Sequence, residues 1–298
     1  MDFLKNEKDE EIKVVYAGSF EDTEAIRHLS IEEGILEIGE NAFRGFSHLE
    51  SVELPLSLKK ISACAFAECK NLKRVVMNSG IEEILDEAFS SCSSLPEIII
   101  PDTVKRIGEG AFEACASLSR VKLSESTYMI GASAFAFCFN LSEITIPDSC
   151  VLVEFCAFSG CYSLEGAKLS CNMGLIDEST FEGCRSLKYV DLPTKLVKIG
   201  RRAFKGCTSL SSIILPVNTQ IIGFDAFADC TSLAKIAIPK DIRELEDEDV
   251  FSGCDSLREI SFGGSKEAWE SVTRGGTLSV QRSDLSTYSP KVSFMNLK

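Results

Sequence analysis

Histidine is nearly missing from this 298-residue chain, with two copies, and tryptophan occurs once. Neither His28 nor His48 has a histidine partner at ligand spacing, and there is no H-E-x-x-H and no C-x-x-C pair. The familiar sequence signatures of a zinc site are therefore missing, and no metal is expected. Bases are also scarce: the formal net charge is −14, a field that repels phosphate-rich partners and excludes nucleic acid and anionic membrane as expected ligands. No run of eighteen apolar residues occurs, so membrane insertion is not expected. The opening MDFLKNEKDEEIK has neither a basic n-region nor an apolar h-region. As written, the sequence carries no export signal and implies cytoplasmic residence; a cell-surface or secreted location would follow only if a leader had been trimmed. Catalytic motifs are missing as well. There is no G-x-S-x-G, no G-x-G-x-x-G opening a helix and no phosphate-binding G-x4-G-K-[ST], so no catalytic residue and no cofactor is expected.

What the chain has is phenylalanine and cysteine at a fixed interval. Phenylalanine recurs at Phe20, Phe43, Phe66, Phe89, Phe112, Phe135, Phe158, Phe181, Phe204 and Phe227, always 23 residues apart, and at Phe251 after 24. Alanine usually precedes it, leucine follows six later, and two more apolar residues stand at nine and eleven, giving AF-x-x-C-x-x-L-x-x-V-x-L-P. The stretch L-x-x-V-x-L alternates with period two and often ends at proline, which predicts one short strand per repeat. A second apolar point five residues before most phenylalanines (Ile61, Ile84, Ile107) predicts a shorter extended segment on the opposite side. A unit of this size cannot bury its own apolar face, so copies must stack, strand beside strand, at about 4.8 Å.

These residues resemble the leucine-rich repeat, whose strand signature is L-x-x-L-x-L, in its 23-residue BspA-type or treponemal form. The resemblance implies a β-rich solenoid: a right-handed leucine-rich-repeat superhelix of about ten or eleven coils, with a parallel sheet on its concave face and short extended or turn segments on its convex face. It also implies binding rather than catalysis, since similar proteins include bacterial adhesins and host-matrix binders. The asparagine ladder usual after the strand is missing, those positions holding Ser57, Thr103, Asn172 and Asn218 among others, so mixed small polar residues must satisfy the backbone there. Residues 1–19 are expected to form an N-terminal cap, 20–263 the repeat block and 264–298 a C-terminal cap. Phe20 and Thr23 belong to a worn first coil covered by EIKVVYAG. At the other end Ser265 caps a short helix whose Trp269 covers the last coil, followed by a strand at KVSFMN.

Nine of the thirteen cysteines share one phase, from Cys69 to Cys254. Parallel Cα–Cβ vectors hold their Cβ atoms near the coil spacing, too far for disulfides, so the column reads as small residues packing a tight inner corner. Cys150 reads as core, and Cys64, Cys156 and Cys171 as nearer solvent. Many free thiols favour a reducing compartment or an anaerobic owner. The acidic run Glu244, Glu246, Asp247, Glu248 and Asp249 lacks calcium-loop spacing and reads as a solvated edge.

Function is left to the surface. In each strand the residues eight and ten after phenylalanine must point outward. The candidate partner-binding set on this face is Arg74, Val76, Ile99, Arg120, Lys122, Glu143, Lys168, Tyr189, Asp191, Ile214 and Lys235. Apolar residues flanking arginine and tyrosine resemble the composition of protein interfaces. The reading is a monomeric, noncatalytic module for a protein partner of unknown identity. The alternatives are a scaffold segment of a larger assembly and a carbohydrate-binding or enzymatic role, for which the strand positions supply only Tyr189 as an exposed aromatic.

Overall fold

Alternation along each repeat becomes structure directly. The L-x-x-V-x-L phrase forms a three-residue strand, as at Ser51–Glu53 and Glu97–Ile99, whose middle residue is turned inward and buried. The isoleucine five before each phenylalanine ends a two-residue strand, as at Lys60–Ile61 and Glu83–Ile84. Most strands pair in parallel with the counterpart 23 residues on, as Lys60 beside Glu83 and Ser51 beside Arg74. The result is a parallel β-solenoid of about ten turns with almost no helix.

The structure, a computed structural model, describes residues 4–5, 11–12, 14–16, 26–246, 248–273, 280–284 and 286–294. Phe20 and Thr23 of the expected first coil, Lys13, Ala17 and Gly18 of its covering segment, Asp247 of the acidic run, and Met295 and Asn296 of the last strand lie outside the described residues. The chain groups into two compact units, Met1–Leu141 and Ser142–Lys298, with the boundary inside one repeat. In the first unit the short strands form one sheet from Val14–Val15 to Met129–Ile130, so the expected N-terminal cover is a paired edge strand. In the second, Leu175–Ile176 to Glu244–Leu245 pair likewise.

The second unit ends in a short helix and a paired strand. Ser265 Oγ accepts the Ala268 N–H at 3.3 Å and starts the helix Lys266–Val272. Trp269, 4% exposed, packs its ring 5.2 Å from that of Phe262. Strand Lys291–Phe294 then pairs in parallel with Glu259–Phe262.

The turn around each phenylalanine ties the coils together. Alternate N–H groups reach the next coil (Asn41 to Ala63 O at 3.1 Å, Phe43 to Ala65 O at 2.8 Å, Gly45 to Ala67 O at 2.8 Å), and those between bond three residues back. That zigzag needs a left-handed residue two before and two after the phenylalanine, as at Asn41 (φ 55°) and Gly45 (φ 72°). The phenylalanine rings are offset-stacked inside. Centroids are 5.0–5.4 Å apart from Phe43 to Phe135, and 5.3–5.8 Å apart from Phe158 to Phe251.

Cysteine completes the corner. Cys115 Sγ donates to Phe89 O at 3.2 Å and Cys69 Sγ to Phe43 O at 3.1 Å, each reaching the phenylalanine carbonyl of the preceding coil. The same carbonyl takes an N–H within its own coil, such as Phe46 to Phe43 O at 3.2 Å, so both lone pairs are used. The column is thus a donor ladder as well as packing, which the sequence reading did not foresee. All thirteen cysteines are free; Cys150 is buried, and only Cys64, Cys156 and Cys171 are partly exposed. The expected replacement of the asparagine ladder also holds. Ser57 Oγ donates to Ile35 O at 2.8 Å, Asn218 Nδ2 to Thr194 O at 3.0 Å, and Thr103 Oγ1 to Ile81 O.

Burial pushes the column thiols up, Cys115 to about 12 from an ordinary 9.0. Unfolded thiols ionise near the ordinary value while native ones keep their protons, so stability is intact below about pH 9 and is lost between about 9 and 12. Urea midpoints should stay level from about pH 7 to 8.5 and fall steeply by about pH 10. Each column thiol adds about 1.4 kcal/mol per pH unit to that slope, and Cys115→Ala should make it shallower by about one proton.

Candidate functional site: the outward face of the three-residue strands

Outward positions on the strands differ from coil to coil, and the structure gives each expected residue its neighbours. In the first unit Arg74 pairs with Glu53 at 3.7 Å, and Lys73 with Glu50 at 2.9 Å. Lys73, with smaller help from Arg27, holds the Glu50 carboxyl below the usual range. Arg120 does not stand alone: its Nη2 lies 2.9 Å from Glu97 Oε2. Lys122 has no ion-pair partner among the described residues. Ile99 is 62% exposed, whereas Val76, read as exposed, is half-buried.

The first unit's strand face is broken at one place, and the cause is one residue. In the neighbouring coils of this unit the residue seven after phenylalanine donates its N–H to its counterpart in the preceding coil, as Lys73 to Glu50 O at 2.8 Å and Ser119 to Pro96 O at 2.9 Å. Pro96 has no N–H, so that rung cannot form. The sheet containing Arg74–Val76 ends there, and Glu97–Ile99 starts another with Arg120–Lys122. Between them lies a cleft of about 390 Å³. Val75, Val76, Met77 and Ile99 line its apolar part; Lys73 and Arg74 form one lip, and Pro96 and Glu97 the other.

In the second unit, Gly166 occupies an outward position but is buried, because the Tyr189 ring lies across it. A Cβ there would meet that ring at 2.2 Å. The Tyr189 hydroxyl donates to Glu143 Oε1 at 3.1 Å, bracing three successive strands, and Glu143 raises the phenol's pKa. Lys235 sits 3.0 Å from Glu259. Lys168 is exposed and helps hold the Asp148 carboxyl low, after the Cys171 N–H. Asp191 is exposed, as is Ile214, at 77%. The strand Tyr189–Asp191 is not laddered to Ser212–Ile214, a break that nothing in the sequence explains.

The acidic run is only partly a free edge. Glu244 is exposed, but Glu246 takes Lys198 Nζ at 2.7 Å and the Phe224 N–H at 3.2 Å. A second cleft, at the C-terminal end, is lined by Asp255, Arg258, Arg282, Ser283 and Asp284, and its charges are largely met internally. Ser283 donates twice to Asp255, and Arg282 lies 4.3 Å over the Tyr288 ring.

Exposed aromatics were missed because only strand positions were read for them. Phe137, Phe139 and Tyr128 in the first unit, and Phe155, Tyr162 and Phe224 in the second, are exposed and off the strands. The signal was available: Phe137 stands where other repeats hold Gly45, Gly160 or Gly183, and it takes the same left-handed backbone, φ 59°. A bulky residue there is strained.

A family model described as the BspA-type leucine-rich repeat region, six copies, matches residues 13–131, 82–196 and 174–273. Among solved structures, the chain is similar to a leucine-rich repeat protein from Bacteroides ovatus ATCC 8483. The two are 24% identical over 99% of this chain and 91% of that one, with a TM-score of 0.48. It is also similar to the leucine-rich repeat protein of T. pallidum, at 23% identity over 70% of this chain and 87% of that one, TM-score 0.50. At this identity the likeness concerns the fold alone. No curated protein matches.

Gly166→Ala should expel the Tyr189 ring and release Glu143. The Tyr189 pKa, followed by NMR of its ring carbon, should then fall toward the ordinary tyrosine value, with global stability lowered by about 1–2 kcal/mol.

Proposed function

Since the chain belongs to the BspA-type leucine-rich repeat family, whose fold commonly mediates protein interaction, we propose that it is a noncatalytic module holding a protein partner on the outward face of its three-residue strands. One observation carries the reading. Along this face the inward residue of each strand is apolar throughout, while the outward residues vary and include large apolar side chains left in solvent, Ile99 and Ile214. Exposed aliphatic side chains on a strand cost stability and solubility unless something covers them. They stand among arginine, lysine and tyrosine, the mixture found at interface centres. Adhesion at a cell surface is one form this function takes if the protein is exported.

The two units supply separate tests. Arg120→Glu with Lys122→Glu in the first, and Ile214→Glu with Lys168→Glu in the second, alter exposed side chains and should leave the melting temperature within a few degrees. Partners captured by the full chain from the native host's lysate and culture surroundings should fall at least tenfold with one pair or the other. Undiminished capture by both doubly substituted proteins would rule out the strand face.

A further inference from the structure

The cleft at Pro96 has a chemistry of its own. We infer that it seats one large aliphatic or aromatic side chain presented by an acidic segment of a partner protein. This inference rests on the strand-face reading and narrows it to one place and one kind of ligand.

Three observations converge. Pro96 lacks the donor that joins the neighbouring coils of the first unit, Arg74–Val76 and Glu97–Ile99 are not laddered, and a cleft of about 390 Å³ opens between them. The opening exposes more apolar than polar surface. Ile99 is 62% exposed, Val75, Val76 and Met77 are each half-buried, and these four line the cleft. A volume of this order accepts a large apolar side chain with part of its backbone.

Charge selects the segment around that side chain. The chain carries a net −14, yet positions seven, eight and ten after phenylalanine in the first unit hold the cations Arg27, Lys73, Arg74, Arg120 and Lys122 against Glu50, Glu53 and Glu97. The corresponding positions of the second unit are balanced, with Lys168, Lys188, Lys235 and Arg258 against Glu143, Glu165, Asp191 and Glu259. Lys73 and Arg74, paired with Glu50 and Glu53, line the cleft opposite Glu97, and Lys122, without an ion-pair partner among the described residues, is on the next strand but one from Arg74. That excess of two cations on this part of a strongly acidic protein attracts acidic segments locally while the remainder repels large polyanions.

The test selects a displayed random-peptide library on the full chain and measures enriched peptides against the wild type, Ile99→Asp, Lys73→Glu with Arg74→Glu, Pro96→Ala and Ile214→Asp. Enriched peptides should carry several acids beside one large apolar residue. They should bind at least tenfold more weakly to Ile99→Asp and to the Lys73/Arg74 double variant, and equally well to Ile214→Asp. Pro96→Ala restores the N–H, so its new amide should be protected from exchange and binding should fall with the fold intact. Enriched peptides indifferent to Ile99→Asp, or no enrichment beyond that obtained on Ile99→Asp itself, would overturn the cleft. Loss only on Ile214→Asp would overturn the cleft and leave the strand face standing, whereas indifference to every variant would overturn both. A polyuridine oligonucleotide, or self-association of the chain, showing the Ile99 and Lys73/Arg74 dependence in place of peptides would also overturn the inference.

Discussion

One carbonyl oxygen per coil, that of the phenylalanine, is the point on which the turn depends. It takes an N–H from its own turn and a thiol from the following coil, while its ring stacks on the rings of neighbouring coils. No water can reach that corner, since Phe112 and Cys115 are both fully buried. Without the thiol the carbonyl would keep only the N–H of its own turn, with no water to take the second lone pair. Cysteine satisfies it with a side chain smaller than valine and less polar than serine, and so suits the position for both packing and bonding.

Because the turn and the buried strand residues hold the coils, the outward strand positions are free to vary. A repeat solenoid is stabilised within coils and between neighbours, so a substitution on the outer face perturbs one interface at most. That separation allows features such as Ile99, the cleft at Pro96 and the Tyr189 brace to exist without loss of the fold. Pro96 is the clearest instance: in a central strand of an isolated sheet it would be disruptive, but here the short-strand sheet and the phenylalanine stack carry the coils past the missing rung.

Most of the fold is legible in the sequence because the repeat is written in residues that admit little choice. The interval between Phe43, Phe66 and Phe89 sets the register, the alternation at Ser51–Glu53 sets the faces, and Trp269 behind Ser265 announces a cap. The thiol donors were not read, since cysteine looks like a plain hydrophobe until the carbonyl opposite it is known. Pro96 stands plainly in the sequence, but its missing N–H matters only once the rung it removes is identified. Tyr189 over Gly166 needs the register of two strands and the absence of a Cβ together. Arg120, expected to meet a partner, meets Glu97 first, because the register sets those positions side by side. The exposed aromatics were legible by column, Phe137 against the glycines of other repeats, and reading beyond the strands would have found them.

The central claim is that the cysteine column holds the coils both by filling the corner and by donating to the phenylalanine carbonyl. Urea unfolding of Cys115→Ala and Cys115→Ser at pH 7 tests it most directly. The account predicts that alanine, which loses both volume and donor, costs about 2 kcal/mol. Serine, which keeps a donor, should cost clearly less than alanine. Equal losses for the two, or a loss for alanine below about 0.5 kcal/mol, would contradict it.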